Sequence, residues 1–298
     1  ALQKEFVFIN AKYKEIIFDE NKININIFLE ESTKNYVDRI NIFGNFITEE
    51  KVIRNSLIVD EGDAFNKILF DKSINKIKGK DIFKTVETDI FDSKSKNNSK
   101  IINIIVEEKA TGEIFAGAGT GTGGSSISAG IKEKNYLGKG IQLDTNLSLS
   151  DDEIKGKFSV INPNFRNSDR SLNTTIESTN TDLMTSAGYK TTRTGLKFGT
   201  GFEQYQDLFI NINISNYYEK LETSNLATAI KKKQEGDYFE NLISYSITLN
   251  KLDQNYQPTD GYLTRFSQTV PLYADDSTLE NSLRASKYHS VNDNLILS

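Results

Sequence analysis

The chain has 298 residues, room for two or three domains, with 37% hydrophobic and 26% charged residues and a mean hydropathy of -0.47. No run approaches the roughly 18 apolar residues of a membrane helix, and a formal net charge of -5 with a pI near 5.2 argues against an electrostatic nucleic-acid reader. Cysteine is absent, which excludes disulfides and thiolate–metal sites. The one histidine, His289, lies in a strand-like stretch and is read as a structural or surface residue; no nucleophile–base pair stands out, no catalytic residue, metal or cofactor is assigned, and an enzyme is the least favoured reading.

The pattern changes near residue 110, from mixed α/β before Glu108 to strand after strand beyond Gly112. The first part contains a repeat: Lys22–Glu31 (KININIFLEE) and Lys100–Glu108 (KIINIIVEE) match with Glu31 on Glu108, an offset of 77 residues that also puts Asn26 on Asn103. Each follows another strand-like run, Tyr13–Phe18 or Val86–Phe91. Repeats of about 75 residues suggest consecutive small domains, with the chain entering partway through one copy. In the complete copy, Tyr36–Phe43 alternates as a strand and Gly44-Asn45 forms a turn. Thr48 is the expected N-cap of a helix bearing Val52, Ile53 and Leu57, and Glu61-Gly62-Asp63 ends it. Ile68, Leu69, Ser73, Ile74 and Ile77 predict a second helix closed by Gly79, and two strands follow, giving the order β-α-α-β-β.

Beyond Gly112, three segments alternate strictly: Ile141, Leu143, Leu147 and Leu149; Ile210, Ile212 and Ile214; Ile243, Tyr245, Ile247 and Leu249. The residues between them are mainly Asn, Gln, Ser and Thr, so one face is apolar and the other polar but seldom charged. Runs of about 9–11 residues suit a tilted membrane-crossing strand, although a soluble sandwich alternates in the same way. Aromatics near the expected strand ends (Phe165, Tyr217, Tyr218, Tyr262) resemble interfacial girdles. Tight turns at Asn135–Gly140 and Asp253–Gly261, against longer polar loops near Asn180–Thr192 and Lys220–Asp237, suit short periplasmic turns and longer external loops. About ten strands are expected, with Leu295–Ser298 starting an eleventh, and without a convincing helix among them. Gly119–Gly124 satisfies G-x-G-x-x-G, but Ser125–Ile131 alternates as a strand where dinucleotide binding needs a helix, so a hairpin is read there. Asp151-Asp152-Glu153 and Asp275-Asp276 are read as solvated loop tips.

The run from Tyr36 to Asn45 (YVDRINIFGN), then Val52-Ile53-Arg54, Glu61-Gly62-Asp63 and Asp81–Val86 (DIFKTV) resembles a POTRA domain, with Asp81-Ile82 where that family usually has Gly followed by an aromatic. Thr111-Gly112, Asn135–Gly140 (NYLGKG), Asn162-Pro163, and Asn250–Asp253 (NKLD) followed by Pro258–Gly261 (PTDG) are similar to the barrel of the Omp85 superfamily, and within it to the BamA family of outer-membrane protein assembly factors. The resemblance spans nearly the whole chain. It implies α+β POTRA domains followed by an all-β antiparallel transmembrane barrel: residues 1–33 as the end of one POTRA domain, 36–109 as the last, and 112–298 as about ten of sixteen strands, with an Arg-Gly-Phe loop motif and the closing strand expected beyond Ser298.

The resemblance also implies a non-enzymatic machine of the bacterial outer membrane, with POTRA domains in the periplasm and neither nucleotide nor nucleic acid as partner. Its partners would be unfolded β-barrel precursors, the lipid bilayer and periplasmic accessory lipoproteins of the BamD-like kind. Gly112, Ile114, Phe115, Ala116, Gly117, Gly119 and Gly121 would form a first strand that opens laterally and pairs with a precursor; the competing reading is that the glycines only admit close packing or sharp curvature. Glu61, with Gly62 and Asp63, is the candidate lipoprotein-docking loop, and Gly44, Asn45, Gly138, Gly140, Pro258 and Gly261 are expected structural turns. The rivals are a related transporter of the superfamily, TamA-like or a two-partner secretion translocator, and a soluble all-β binding module.

Overall fold

The computed structural model describes residues 9–19, 22–31, 35–121, 124–253, 258–274, 278–292 and 295–298. Two compact units divide the chain, residues 1–110 and 111–298. Thr122, Gly123, Asp275 and Asp276, named above in motifs, and Ser32 and Thr33, at the end of the first expected domain, lie outside the described residues.

In the first unit, β1 (Ile9–Asp19) and β2 (Lys22–Glu31) form an antiparallel hairpin that pairs Tyr13 with Ile27. A β-α-α-β-β segment follows: β3 (Tyr36–Phe43), α1 (Glu50–Arg54), α2 (Lys67–Gly79), β4 (Phe83–Asp92) and β5 (Ser99–Glu108). The sheet order is β3-β5-β4, with β3 parallel and β4 antiparallel to β5. Parallel pairing of β3 with β5 requires a long crossover, and the two helices supply it. Val37 and Ile40 of β3, Ile102 and Ile104 of β5, Ile53 of α1, and Phe70 and Ile77 of α2 are buried in one apolar core. Gly44 (φ +86°) lies where a Cβ would sit 1.9 Å from the Val106 carbonyl oxygen, so the strand can leave the sheet there only on a glycine.

Three local expectations are corrected. Glu49, not Thr48, is the N-cap of α1, and its side chain makes no capping bond. Thr48 is buried instead, with its N–H donating to Glu108 Oε1 (2.6 Å) and its carbonyl accepting from Asn45 Nδ2 (3.0 Å). Helix α2 is closed not by a left-handed Gly79, which is its last helical residue, but by Asp81 at φ +56°; aspartate tolerates that conformation. Ile68 faces solvent while Phe70 takes the core position. The α2 N-cap is Asn66, whose side chain accepts from the Leu69 N–H (3.1 Å).

The second unit is an antiparallel sheet of eleven strands in sequence order: β6 (Gly112–Gly121), β7 (Gly124–Tyr136), β8 (Ile141–Ser150), β9 (Glu153–Asn162), β10 (Arg170–Leu183), β11 (Tyr189–Tyr205), β12 (Leu208–Thr223), β13 (Gly236–Asn250), β14 (Gly261–Tyr273), β15 (Glu280–Asn292) and β16 (Leu295–Leu297). Gly121 pairs with Gly124, so the glycine motif is the hairpin expected. The strand lengths differ from expectation: β10, β11 and β12 run for 14, 17 and 16 residues. Asn180 pairs with Thr192 and Lys220 with Asp237, so both segments read as polar loops are partly strand. Where both faces meet water the alternation disappears, although the backbone ladder continues. The true connections are 184–188 and 224–235, and the second contains a short helix missed in the sequence, α3 (Ala229–Lys233), capped by Thr228.

The two faces differ row by row. Leu143, Val160, Thr174, Phe198, Ile214, Ile243 and Val270 lie opposite one another from β8 to β14. On the other face Glu113, Lys132, Asp144, Ser159, Thr175, Lys197 and Ser215 lie opposite one another from β6 to β12. That face is therefore more charged than expected. Burial is inverted as well: the buried residues include Ser159, Ser215 and Ser246, whereas Ile127, Leu147, Phe198 and Ile214 are exposed.

Glu108 generates a prediction in the first unit. Its carboxylate accepts from the N–H groups of Phe46, Ile47 and Thr48 (3.1, 3.0 and 2.6 Å). Burial alone would raise its pKa, but the Thr48 side chain and these amides outweigh it and hold the group below the ordinary carboxylate range. A depressed folded pKa means that the stabilisation is complete above the unfolded value and is lost as pH falls through the folded one. Glu108→Gln is expected to lower protection of the Ile47 and Thr48 amides by about 2 kcal/mol near neutral pH and to remove the local acid sensitivity; hydrogen exchange with protection factors measured at neutral and acid pH checks both.

Candidate functional site

Strand β6 is one edge of the eleven-stranded sheet and pairs only with β7 among the described residues; β16 is the other edge. Its side chains alternate as the ladder requires. Ile114, Ala116 and Ala118 lie on the apolar face opposite Ile131, Ala129 and Ile127, and Ile114 is 84% exposed. Phe115, Gly117, Gly119 and Gly121 lie on the polar face. Phe115 is the half-buried member of an otherwise exposed strand. Its ring occupies space left by its cross-strand partner Gly130, where a Cβ would come within 2.4 Å of Phe115 Cζ, and Lys132 Nζ lies 5.6 Å from the ring centre. The start of the strand is tied by Glu133, which accepts from the Thr111 hydroxyl and from the Asn135 N–H (2.7 Å).

Gly117, Gly119 and Gly121 of β6 are not packing spacers, whereas a Cβ at Gly112 would come within 3.1 Å of Glu133 Oε2. A Cβ at Gly117 or Gly119 would meet Ser128 Oγ or Ser126 Oγ at 3.7 Å, an ordinary contact, and at Gly121 would meet nothing within 4 Å. Their effect on the strand is the backbone freedom and missing side-chain contact of glycine itself. The glycines of β11 are different: a Cβ at Gly195 would sit 2.3 Å from the Tyr217 ring, and one at Gly199 would sit 1.9 Å from Asn213 Oδ1.

The row through Phe115 and Gly130 continues through Asn146, Lys157, Glu177, Gly195 and Tyr217 to Glu240. Tyr217 is buried on this polar face at 9% exposure, so it is not a girdle residue; Tyr218, on the apolar face, remains exposed. The Tyr217 hydroxyl donates to Glu177 Oε1 (2.8 Å), which also pairs with Lys197 (2.9 Å). Arg193 stands 4.1 Å from the Tyr217 ring centre and holds both Glu219 and Glu240 at 2.7 Å. Gly130, Glu133 and Arg193 escaped the sequence reading, and Tyr217 was read as a girdle residue, because their roles depend on cross-strand register, which periodicity alone does not set.

In the first unit, the Glu61–Asp63 loop is turned against the free edge of β3. Gly62 N–H donates to the Val37 carbonyl and Val37 N–H to the Asp63 carbonyl (both 2.8 Å). Ile40 N–H donates to Glu61 Oε1 (2.9 Å), and Arg54 Nη2 to the Ile40 carbonyl (2.9 Å). The Glu61 side chain is still 42% exposed. β4 is the opposite edge strand of this sheet. The expected turns lie at strand ends: Gly44, Gly138, Gly140 and Gly261 have positive φ. Asn45 bonds the Thr48 carbonyl, and Pro258 precedes Thr259, whose N–H donates to Asp253 Oδ1 (3.0 Å).

An up-and-down antiparallel sheet with a polar, charge-paired face and an uncovered apolar face belongs to the class of outer-membrane β-barrel proteins. The Omp85 superfamily domain matches residues 135–298, more than half of the chain, and the chain belongs to that superfamily. It is 22% identical over 302 residues to outer membrane protein assembly factor BamA of Nitratidesulfovibrio vulgaris, covering 98% of this chain and 37% of the relative. It is 25% identical over 268 residues to BamA of Neorickettsia risticii, covering 88% and 36%. The chain thus spans little more than a third of the length of these relatives. Among solved structures, BamA from Haemophilus ducreyi lacking POTRA domains 1-3 superposes with a TM-score of 0.67 at 22% identity, over 97% of this chain and 58% of that one. CdiB from Acinetobacter baumannii gives a TM-score of 0.56 at 10% identity, over 96% and 54%. Both are likenesses of fold.

Phe115→Ala is expected to lower the opening free energy of the β6–β7 ladder by about 1 kcal/mol, and Gly130→Val to displace the same ring. Gly117→Ala, whose methyl would make only an ordinary contact with Ser128 Oγ, should leave the ladder as firm or firmer. Hydrogen exchange of the β6 and β7 amides distinguishes the three variants.

Proposed function

We propose that the chain is part of an outer-membrane protein assembly factor that inserts β-barrel precursors without enzymatic chemistry. In this reading residues 111–298 are part of a transmembrane barrel, residues 36–109 are a POTRA domain in the periplasm, and β1–β2 is the end of the POTRA domain before it. The inverted burial of the second unit carries the proposal: its apolar row from Leu143 to Val270 has no covering layer in this unit, while the described buried apolar core lies in residues 37–106. A soluble binding module would need a second layer over that face; lipid covers it without one.

Precursor capture would use edges. The β3 edge is occupied by the Glu61–Asp63 loop and Arg54, which leaves β4 as the edge suited to adding a precursor strand through main-chain bonds. Insertion would use β6. Its outward backbone groups would be paired by a closing strand at rest and by the terminal strand of a precursor during assembly, because unpaired groups in hydrocarbon cost several kcal/mol each. Backbone freedom at Gly117, Gly119 and Gly121, with Phe115 as the half-buried anchor to β7, supports a strand that can separate and re-pair. Gly112 and Ala116 add little side-chain contact, and Ile114 faces lipid.

Glu61, Gly62 and Asp63 are proposed to dock a BamD-like accessory lipoprotein. Because Glu61 also holds β3, Glu61→Lys is expected to weaken both docking and the β3 edge, and Glu61→Gln to retain the edge bond while weakening docking. Co-purification of the lipoprotein, read beside exchange at the Ile40 amide, separates the two effects.

Two measurements test the main reading. Carbonate extraction should leave the protein in the membrane pellet; release into the supernatant would favour the soluble module. Cysteines at Ile114 or Ala116 should form disulfide cross-links to a cysteine in the terminal strand of a precursor arrested during assembly, and failure at both positions would count against β6 as the pairing edge.

A further inference from the structure

The loop after β3 carries two large apolar side chains into solvent: Phe46 is 94% exposed and Ile47 72%. Both backbone N–H groups are held by Glu108 (3.1 and 3.0 Å), so the tip is fixed rather than loose. Glu108 ends β5, and only three residues, Lys109, Ala110 and Thr111, separate it from Gly112, the first residue of β6. The four steps along the chain from Glu108 to Gly112 span about 14 Å at full extension. The chain therefore limits the distance between Glu108, which holds the tip, and the first residue of β6.

The charges beside the tip are paired within the unit. Lys51 meets Glu49 at 2.5 Å, Arg54 meets Glu50 at 2.6 Å, and the Glu108 carboxylate is bound to three amides. The tip therefore presents apolar surface with little uncompensated charge around it. Scattered exposed apolar residues are ordinary, but two adjacent ones on a pinned loop, one nearly fully exposed, are not needed to build the turn.

We propose that Phe46 and Ile47 form a lipid anchor that inserts at the headgroup–acyl boundary of the periplasmic leaflet and steadies the first unit against the membrane. The inference rests on the reading of the second unit as a membrane sheet. It follows from the short tether and the chemistry of the tip: apolar side chains on a short tether to a membrane-entering strand gain from shallow burial in the interface, and the bonds to Glu108 give the tip a defined shape before it inserts.

The 298 residues contain no tryptophan, so the emission that a Phe46→Trp variant adds over its parent is clean within this chain. The full-length protein is reconstituted into phosphatidylglycerol–phosphatidylcholine vesicles, with acyl chains either plain or brominated near the carbonyl end. Ile214→Trp, on the apolar row of the sheet, is the control. The expected result is blue-shifted F46W emission, quenched by the brominated lipid, with I214W quenched as well. Quenching of I214W without quenching of F46W overturns the anchor and leaves the membrane sheet standing. A blue shift of F46W without quenching also overturns it, because the tip then sits in protein, such as a turn of the sheet or an accessory lipoprotein. If I214W is not quenched, the membrane-sheet reading fails and the anchor fails with it. Phe46 is nearly fully exposed, so its replacement does not endanger the fold.

Discussion

The second unit is organised around an apolar face that nothing in that unit covers. Once Phe198 and Ile214 are exposed and Leu143 and Val270 only half-buried along one side, polar side chains must collect on the other, since a strand offers only two faces. Where the uncovered face meets lipid, each backbone N–H and C=O must also find its partner within the sheet. A continuous antiparallel ladder in sequence order satisfies this with the shortest connections, and each strand adds its paired groups to its neighbour.

The polar face then poses a packing problem. Charges away from lipid still need partners, because removing an ion from water is expensive unless its attraction is met at close range. Arg193 is flanked by Glu219 and Glu240, and Lys197 by Glu177, with Tyr217 lying between the two groups. The rings and amides need room across the ladder, and the β11 glycines provide it: Gly195 receives the edge of Tyr217, and Gly199 receives Asn213 and Asn173. Gly117, Gly119 and Gly121 of β6 have no such neighbours. One residue type thus serves rigidity in the middle of the sheet and looseness at its edge, and only the cross-strand neighbours tell the two uses apart.

This is also the boundary of what the sequence made legible. The change of pattern near residue 110, the β-α-α-β-β order and the alternating strands are local properties, carried by spacings such as Ile210-Ile212-Ile214 and turns such as Gly44-Asn45. The longer strands were hidden because polar residues paired with polar neighbours, such as Asn180 with Thr192, lose the alternation that marks a half-buried strand. Thr48 was misread as a cap because its competitor for the amides, Glu108, is 60 residues away. Tyr217 resembled its neighbour Tyr218 in the sequence, but register placed it on the opposite face. The pairing edge and docking loop came from family resemblance; the structure adds what those residues touch.

Sheet edges pose the same problem in both units. A strand edge is a row of unsatisfied donors and acceptors that will pair with any extended chain unless something occupies it. At β3 the Gly62 and Asp63 backbone, the Glu61 carboxylate and the Arg54 guanidinium occupy that row. β4 and β6 have no comparable plug among the described residues. Glu61 thereby helps to block strand addition at β3, and β4 is the edge of this sheet left unblocked among the described residues. Two open edges on one small sheet would let copies of the chain pair with each other. At β6 the arrangement is different: Gly117, Gly119 and Gly121 add no side chain to the edge, while Phe115 lies in the space left by Gly130 and is the one half-buried residue of the strand, so the side-chain burial that holds this edge to β7 is concentrated at a single position.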